Sequence, residues 1–203
     1  MNLLHIKVSP NIDGSASRKV SDYLVDRLKK KYPGIDEKII DLSQEPLPHL
    51  DACTVEAFLT KPDERKERQT KAVELSDRMI DNLFESDLIV ISSPIWNLGL
   101  PSVLKAWFDH ITRAGRTFKF TDAAGSKVGL VPNKTVYIVV ASGSIFSYGP
   151  LVSHDQFTPY IKYAFQYIGI TDLKFVRIDG THDPLTSECA VPKAISLVDN
   201  MNI

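Results

Sequence analysis

Only two cysteines, Cys53 and Cys189, occur in the chain, far apart and in no metal-ligand spacing. They give no basis for a disulfide framework or a cysteine-held metal, and predict free thiols in a reduced, cytoplasmic protein. Long apolar runs are missing too. No stretch is long enough to span a bilayer, and the apolar part of MNLLHIKVSP is too short for a signal peptide. The net charge is −1, so neither nucleic acid nor a membrane surface is an expected partner. Several motifs are absent as well. There is no G-x-x-x-x-G-K-[ST] for a nucleoside triphosphate and no G-x-G-x-x-G for a tightly held dinucleotide. There is no G-x-S-x-G, no H-E-x-x-H and no paired carboxylate motif. No motif for a catalytic acid, base, nucleophile or metal is therefore on offer. Repeats, low-complexity tracts and linkers are also lacking.

What is present is a balanced composition, 43% hydrophobic and 24% charged, over 203 residues. That suits a soluble protein built as one domain, residues 1–203. The organising stretch is DLIVISSPIWNLGLPSVLKAWFDHITRAG, from Asp87 to Gly115. Leu88-Ile89-Val90-Ile91 is too continuously apolar for a half-exposed strand and reads as one buried on both faces. A polar–aromatic loop follows, then a helix opened by Pro101 at its first position. That helix carries Val103, Leu104, Trp107, Phe108 and Ile111 on one face.

The remaining chain repeats this alternation. Strands are expected at Leu3–Val8, Glu37–Leu42, Thr135–Ala141 and Leu173–Ile178. Helices are expected after Ser17, over Glu64–Glu85 and Phe157–Ile168, and from Ser187, where Pro192 must kink the helix or begin it afresh. Ser43–Asp63 is irregular, with a short helix around Thr54–Leu59, and its length suggests a functional or interface loop. Arg116–Val131 reads as a small hairpin or ordered loop outside the sheet, turning at Ala124-Gly125. Five strands alternating with helices predict an α/β, doubly wound, five-stranded parallel sheet of flavodoxin-like order 2-1-3-4-5. That order brings the ends of strands one, three and four together.

Three loops then converge. The first offers Ser9, Ser15, Ala16 and Ser17 at a helix N-terminus, a place for an anion. The same residues also suit an ordinary capped turn, with Ser15 or Ser17 as the cap. The second loop brings Pro94, Ile95, Trp96, Asn97 and Leu98. The third brings Ser142, Gly143, Ser144 and Ile145, where a glycine lets backbone approach a ligand. Elsewhere, His110 reads as a hydrogen-bonded structural or interface residue, His154 as one able to approach the site, and Lys105–Asp109 as a surface pair.

The wording of these stretches carries a resemblance. P-x-W-N-x, then L-P-x-x-L-K-A-W-F-D-H and R-A-G-x-T-F, together with Gly129-Leu130-Val131, Gly149-Pro150 and Tyr167-Ile168-Gly169-Ile170-Thr171, resembles the FMN-dependent azoreductases and quinone reductases. The resemblance covers nearly the whole chain. It implies FMN as cofactor, NADH or NADPH as donor, a quinone or azo compound as acceptor, a ping-pong hydride cycle and a homodimer. It further implies FMN contacts at Ser9, Ser15–Ser17, Pro94–Leu98 and Ser142–Ile145, with Phe120 on the substrate side. The chain departs from the family at Ile95-Trp96-Asn97-Leu98, where many relatives have Met-Tyr-Asn-Phe or Met-Trp-Asn-Phe, and at Ser142-Gly143-Ser144, where Ser-Arg-Gly-Gly or Ser-Gly-Gly is frequent. Two other readings stand beside it: a flavodoxin-type electron carrier that docks to a redox partner, and a flavin-free binding or regulatory domain. Such carriers are often strongly acidic, unlike this near-neutral chain.

Overall fold

The computed structural model describes residues 1–122 and 125–203. The expected turn at Ala124-Gly125 thus lies partly outside the described residues.

The strands are β1 (Asn2–Lys7), β2 (Asp36–Asp41), β3 (Leu88–Pro94), β4 (Phe118–Phe120), β5 (Lys127–Gly129), β6 (Thr135–Ala141) and β7 (Asp172–Ile178). The α-helices are α1 (Ala16–Lys31), α2 (Ala52–Leu59), α3 (Glu67–Glu85), α4 (Ser102–Ile111), α5 (Phe157–Ile168) and α6 (Ser187–Asn200). Five strands form a parallel sheet in the order β2-β1-β3-β6-β7, the flavodoxin-like order expected. β4 and β5 form a separate antiparallel pair.

Alternation along β3 explains the two-sided burial. Ile89 and Ile91 pack with α3, α4 and α5 through Ile80, Leu83, Trp107, Phe108 and Phe165. Leu88 and Val90 face the other way, toward α1 and α6, meeting Leu24, Leu28, Ala194 and Val198. A strand covered by helices on both faces has no solvent side, which is why its sequence does not alternate. On one face Trp107, Phe108 and Phe165 meet edge-on or tilted, with Trp107–Phe108 centroids 5.0 Å apart and Phe108–Phe165 centroids 5.2 Å apart. The β4–β5 pair docks on the end of α5, where a Cβ on Gly129 would lie 2.1 Å from the Gly169 nitrogen. Only glycine permits that approach.

Some boundaries differ from expectation. Pro101 is the N-cap of α4, not its first helical residue, and its carbonyl accepts from Lys105 N–H at 3.1 Å. α3 starts at Glu67, because Pro62–Glu64 forms a separate 3-10 turn. α6 runs as one helix through Pro192. No helix among the described residues is long and apolar enough to cross a membrane.

Candidate functional site

β1, β3 and β6 end in register. Lys7 pairs with Ser92 and Pro94 with Ala141, so the loops that follow leave the same edge of the sheet. Ile95 N–H donates to Ala141 O at 2.8 Å, tying the second loop to the third. Between the loops lies a cleft of about 450 Å³, lined by Ser9, Ser15, Ala16, Ser17, Pro94, Ile95, Trp96, Ser142 and Gly143 among others. Nine of the expected site residues are therefore brought together. Asn97 and Leu98 stand next to the cleft at an exposed turn, while Ser144 and Ile145 line an adjoining cavity of about 470 Å³. Phe120 sits exposed on β4 and lines neither.

The first loop resolves the two roles open to its serines. Ser15 is the N-cap of α1: its hydroxyl accepts from Arg18 N–H at 3.4 Å. Ser17 is not the cap; among the described residues its hydroxyl hydrogen-bonds the Ser15 hydroxyl alone, at 3.1 Å. The first N–H groups of a helix have no partner inside it, so those of Ala16 and Ser17 remain available at the cleft wall. No lysine or arginine lines the cleft.

Arg18, in the first turn of α1, is buried. Its guanidinium donates to Ser9 O at 2.8 and 2.6 Å and forms a two-pronged pair with Asp41, each contact 2.8 Å. Burial pushes the Asp41 carboxyl up, but Arg18 and Ser43 outweigh it and hold it at about 2. Arg18 thus shapes the loop through the Ser9 carbonyl, and its charge is met by Asp41 away from the cleft.

The second loop is strained. Trp96 and Gly99 exchange N–H···O bonds of 3.1 and 3.0 Å around a two-residue turn. Both central residues are left-handed, Asn97 at φ 47° and Leu98 at φ 72°. Asparagine tolerates that region; leucine does so at a cost of about 1–2 kcal/mol. The turn leaves the Trp96 ring exposed beside Asn97.

The third loop is held from below. The Asp179 carboxylate accepts from the Ser142 hydroxyl at 2.8 Å and from Ser147 N–H at 2.8 Å. Arg177 braces Asp179 at 3.3 Å and joins it to Asp155 at 2.8 Å. Sequence reading missed this brace, and did not single out Pro10, Asn11, Gly14, Ala141, Thr181 and His182, which also line the cleft. Asn11 and Gly14 had a legible signal, an Asn and a Gly in a helix-opening loop. Thr181 and His182 had none, since they arrive from beyond β7.

The histidines are placed apart from this cleft except His182. His110 is buried and its Nε2–H donates to Pro48 O at 2.9 Å, the structural role expected. His154 lies on a short exposed turn and does not line the cleft. Lys105 and Asp109 pair at 2.6 Å on the surface. Both cysteines are free. Among the described residues no cluster of His, Cys, Asp or Glu is placed to hold a metal.

The donor set fits a phosphate-bearing, flat ring cofactor: neutral hydroxyls and helix N–H groups at one end, Trp96 and an unsubstituted Gly143 at the other. Known proteins agree. The chain is 73% identical over 203 residues to the FMN-dependent NADH:quinone oxidoreductase 2 of Hahella chejuensis (strain KCTC 2396), covering all of both chains. It is 44% identical over 192 residues to the FMN-dependent NADH:quinone oxidoreductase of Beijerinckia indica subsp. indica, covering 95% of this chain and 94% of the relative. The structure of the FMN-dependent NADH-azoreductase from Bacillus anthracis str. Ames Ancestor, in complex with FMN, superposes with a TM-score of 0.86 at 26% identity, covering 98% of this chain and 96% of that one. A family model described as flavodoxin-like fold matches residues 1–200, and the chain belongs to that family, Flavodoxin_2.

Proposed function

We propose that this chain is an FMN-dependent oxidoreductase that takes a hydride from NADH and delivers two electrons to a quinone, with azo compounds as further acceptors. The observation that carries the reading is the meeting of three loops around one cleft, with uncharged donors at the α1 end and an aromatic–glycine end opposite. The names of the relatives support it. Ser17, with the Ala16 and Ser17 N–H groups, binds the phosphate; Ser15 holds the helix start in shape. Ser9 and Pro94–Ile95 line the middle. Trp96, Asn97, Leu98 and Ser142–Ile145 surround the ring. FMN supplies the redox chemistry when bound, and the protein orients it and shields it from water.

The cycle is ping-pong: oxidised nicotinamide leaves before the acceptor enters the same space. NADPH is a second donor to be compared with NADH. The functional unit is a two-fold homodimer of single-domain chains in the cytoplasm, with Phe120 on the substrate side. Purified protein is expected to release one FMN per chain on denaturation and to oxidise NADH with a quinone, giving parallel lines in double-reciprocal plots. Protein that takes up no FMN, or that oxidises no NADH with either acceptor class, overturns the reading. Sedimentation showing a fully active monomer overturns the dimer alone.

A further inference from the structure

The last wall of the cleft comes from the turn after β7. Gly180 N–H donates to Ser144 O at 3.1 Å, Thr181 N–H to Ser142 O at 3.0 Å, and His182 N–H to Gly143 O at 3.1 Å. The Thr181 hydroxyl adds a bond to Ser142 O at 3.1 Å. The backbone of His182 is therefore fixed against the third loop. Its imidazole lies over Gly143: a Cβ built there would come 3.0 Å from His182 Nδ1. The ring lines the cleft, is exposed at its rim, and has no hydrogen-bond partner among the described residues. A donor held in place by its backbone, with its own ring nitrogens unused, is preorganised for a ligand.

We propose that His182 is a further flavin-contacting residue, donating a ring N–H to the pyrimidine edge of FMN and holding reduced FMN more tightly than oxidised FMN. The proposal rests on the FMN reading above. It follows from charge. A hydride from NADH carries two electrons and one proton, leaving NAD⁺ and adding one negative charge to the ring system, spread over its pyrimidine half. A hydrogen bond to an ionised acceptor is roughly twice as strong as one to a neutral acceptor. A donor on the Gly143 side therefore favours the reduced state, and the glycine leaves room for the imidazole beside the ring.

The test measures FMN affinity by fluorescence quenching and midpoint potential by equilibration with a reference dye, for wild type, His182→Ala and His182→Gln. His182→Ala should still bind oxidised FMN, while its preference for reduced FMN falls about tenfold, a drop of about 30 mV for a two-electron couple. His182→Gln keeps an N–H donor and should recover most of that drop. A potential in His182→Ala equal to wild type, with FMN bound, overturns the proposal and leaves His182 as a wall of the cleft. Wild type that binds no FMN overturns the FMN reading itself, so the two failures are told apart.

Discussion

Asp179, at the end of β7, accepts the Ser142 hydroxyl at 2.8 Å, and through that bond one strand end sets the shape of the loop leaving another. Burial pushes the Asp179 carboxyl up, but Ser147, Ser142 and Arg177 outweigh it and hold it below the usual range. The carboxylate stays charged beneath a loop whose backbone faces the cleft.

Asp179→Asn removes that charge and leaves Arg177 with Asp155 and the Thr158 hydroxyl. Hydrogen bonds to charged groups contribute about 1.5–3 kcal/mol each, so a loss of that order is expected. For a domain of this size it lowers Tm by roughly 3–12 °C. FMN affinity should fall alongside, because the third loop loses its brace. Calorimetry and fluorescence titration check both; an unchanged Tm refutes the brace.

Ser15→Ala and Ser17→Ala should separate. Ser15 caps α1, so its loss costs about 1 kcal/mol of stability. Ser17 caps nothing; if its hydroxyl donates to the phosphate as proposed, its loss removes a charge-assisted bond worth about 1.5–3 kcal/mol. That weakens FMN binding roughly 10- to 150-fold with little change in the apoprotein Tm. Equal FMN affinity in wild type and Ser17→Ala shows that its hydroxyl is not a phosphate donor.

Acid stability should report Glu37. His5, fully buried on β1, donates Nδ1–H to Glu37 at 3.0 Å, and Lys29 pairs with the other oxygen at 2.6 Å. The His5 bond, with that from Lys29, overcomes burial and lowers the Glu37 carboxyl from 4.5 to about 2. A depressed carboxylate stabilises the fold above its unfolded value and stops doing so as pH falls through its folded one. Glu37 therefore contributes stability that is fully present above pH 4.5 and lost progressively toward pH 2. Glu37→Gln should flatten the fall of Tm with pH in that window; an identical acid limb in the variant contradicts this.

Leu98→Asn tests the strained turn. Asparagine accepts the left-handed region without glycine's entropy cost. Leu98 is exposed, so little packing is lost, and a gain of about 1 kcal/mol is expected. A drop in Tm shows instead that the leucine side chain stabilises the turn.

The sequence by itself determined the layering. Unbroken apolar runs at Leu88–Ile91 and Thr135–Ala141 need cover on both faces, and amphipathic helices between strands supply it. Parallel order and right-handed crossovers then put three loops at one edge. That much follows from local periodicity and chain connectivity, and nine expected site residues meet in the cleft for that reason. Only the tertiary structure decided which serine caps α1, that Arg18 turns inward to Asp41, and that Asp179 and His182 reach the third loop. Those outcomes depend on contacts between segments distant along the chain, where a side chain's role is set by what burial places opposite it. Local pattern carries no record of such partners: Ser15 and Ser17 are alike as letters, yet the Ser15 hydroxyl accepts from Arg18 N–H while that of Ser17 meets the Ser15 hydroxyl.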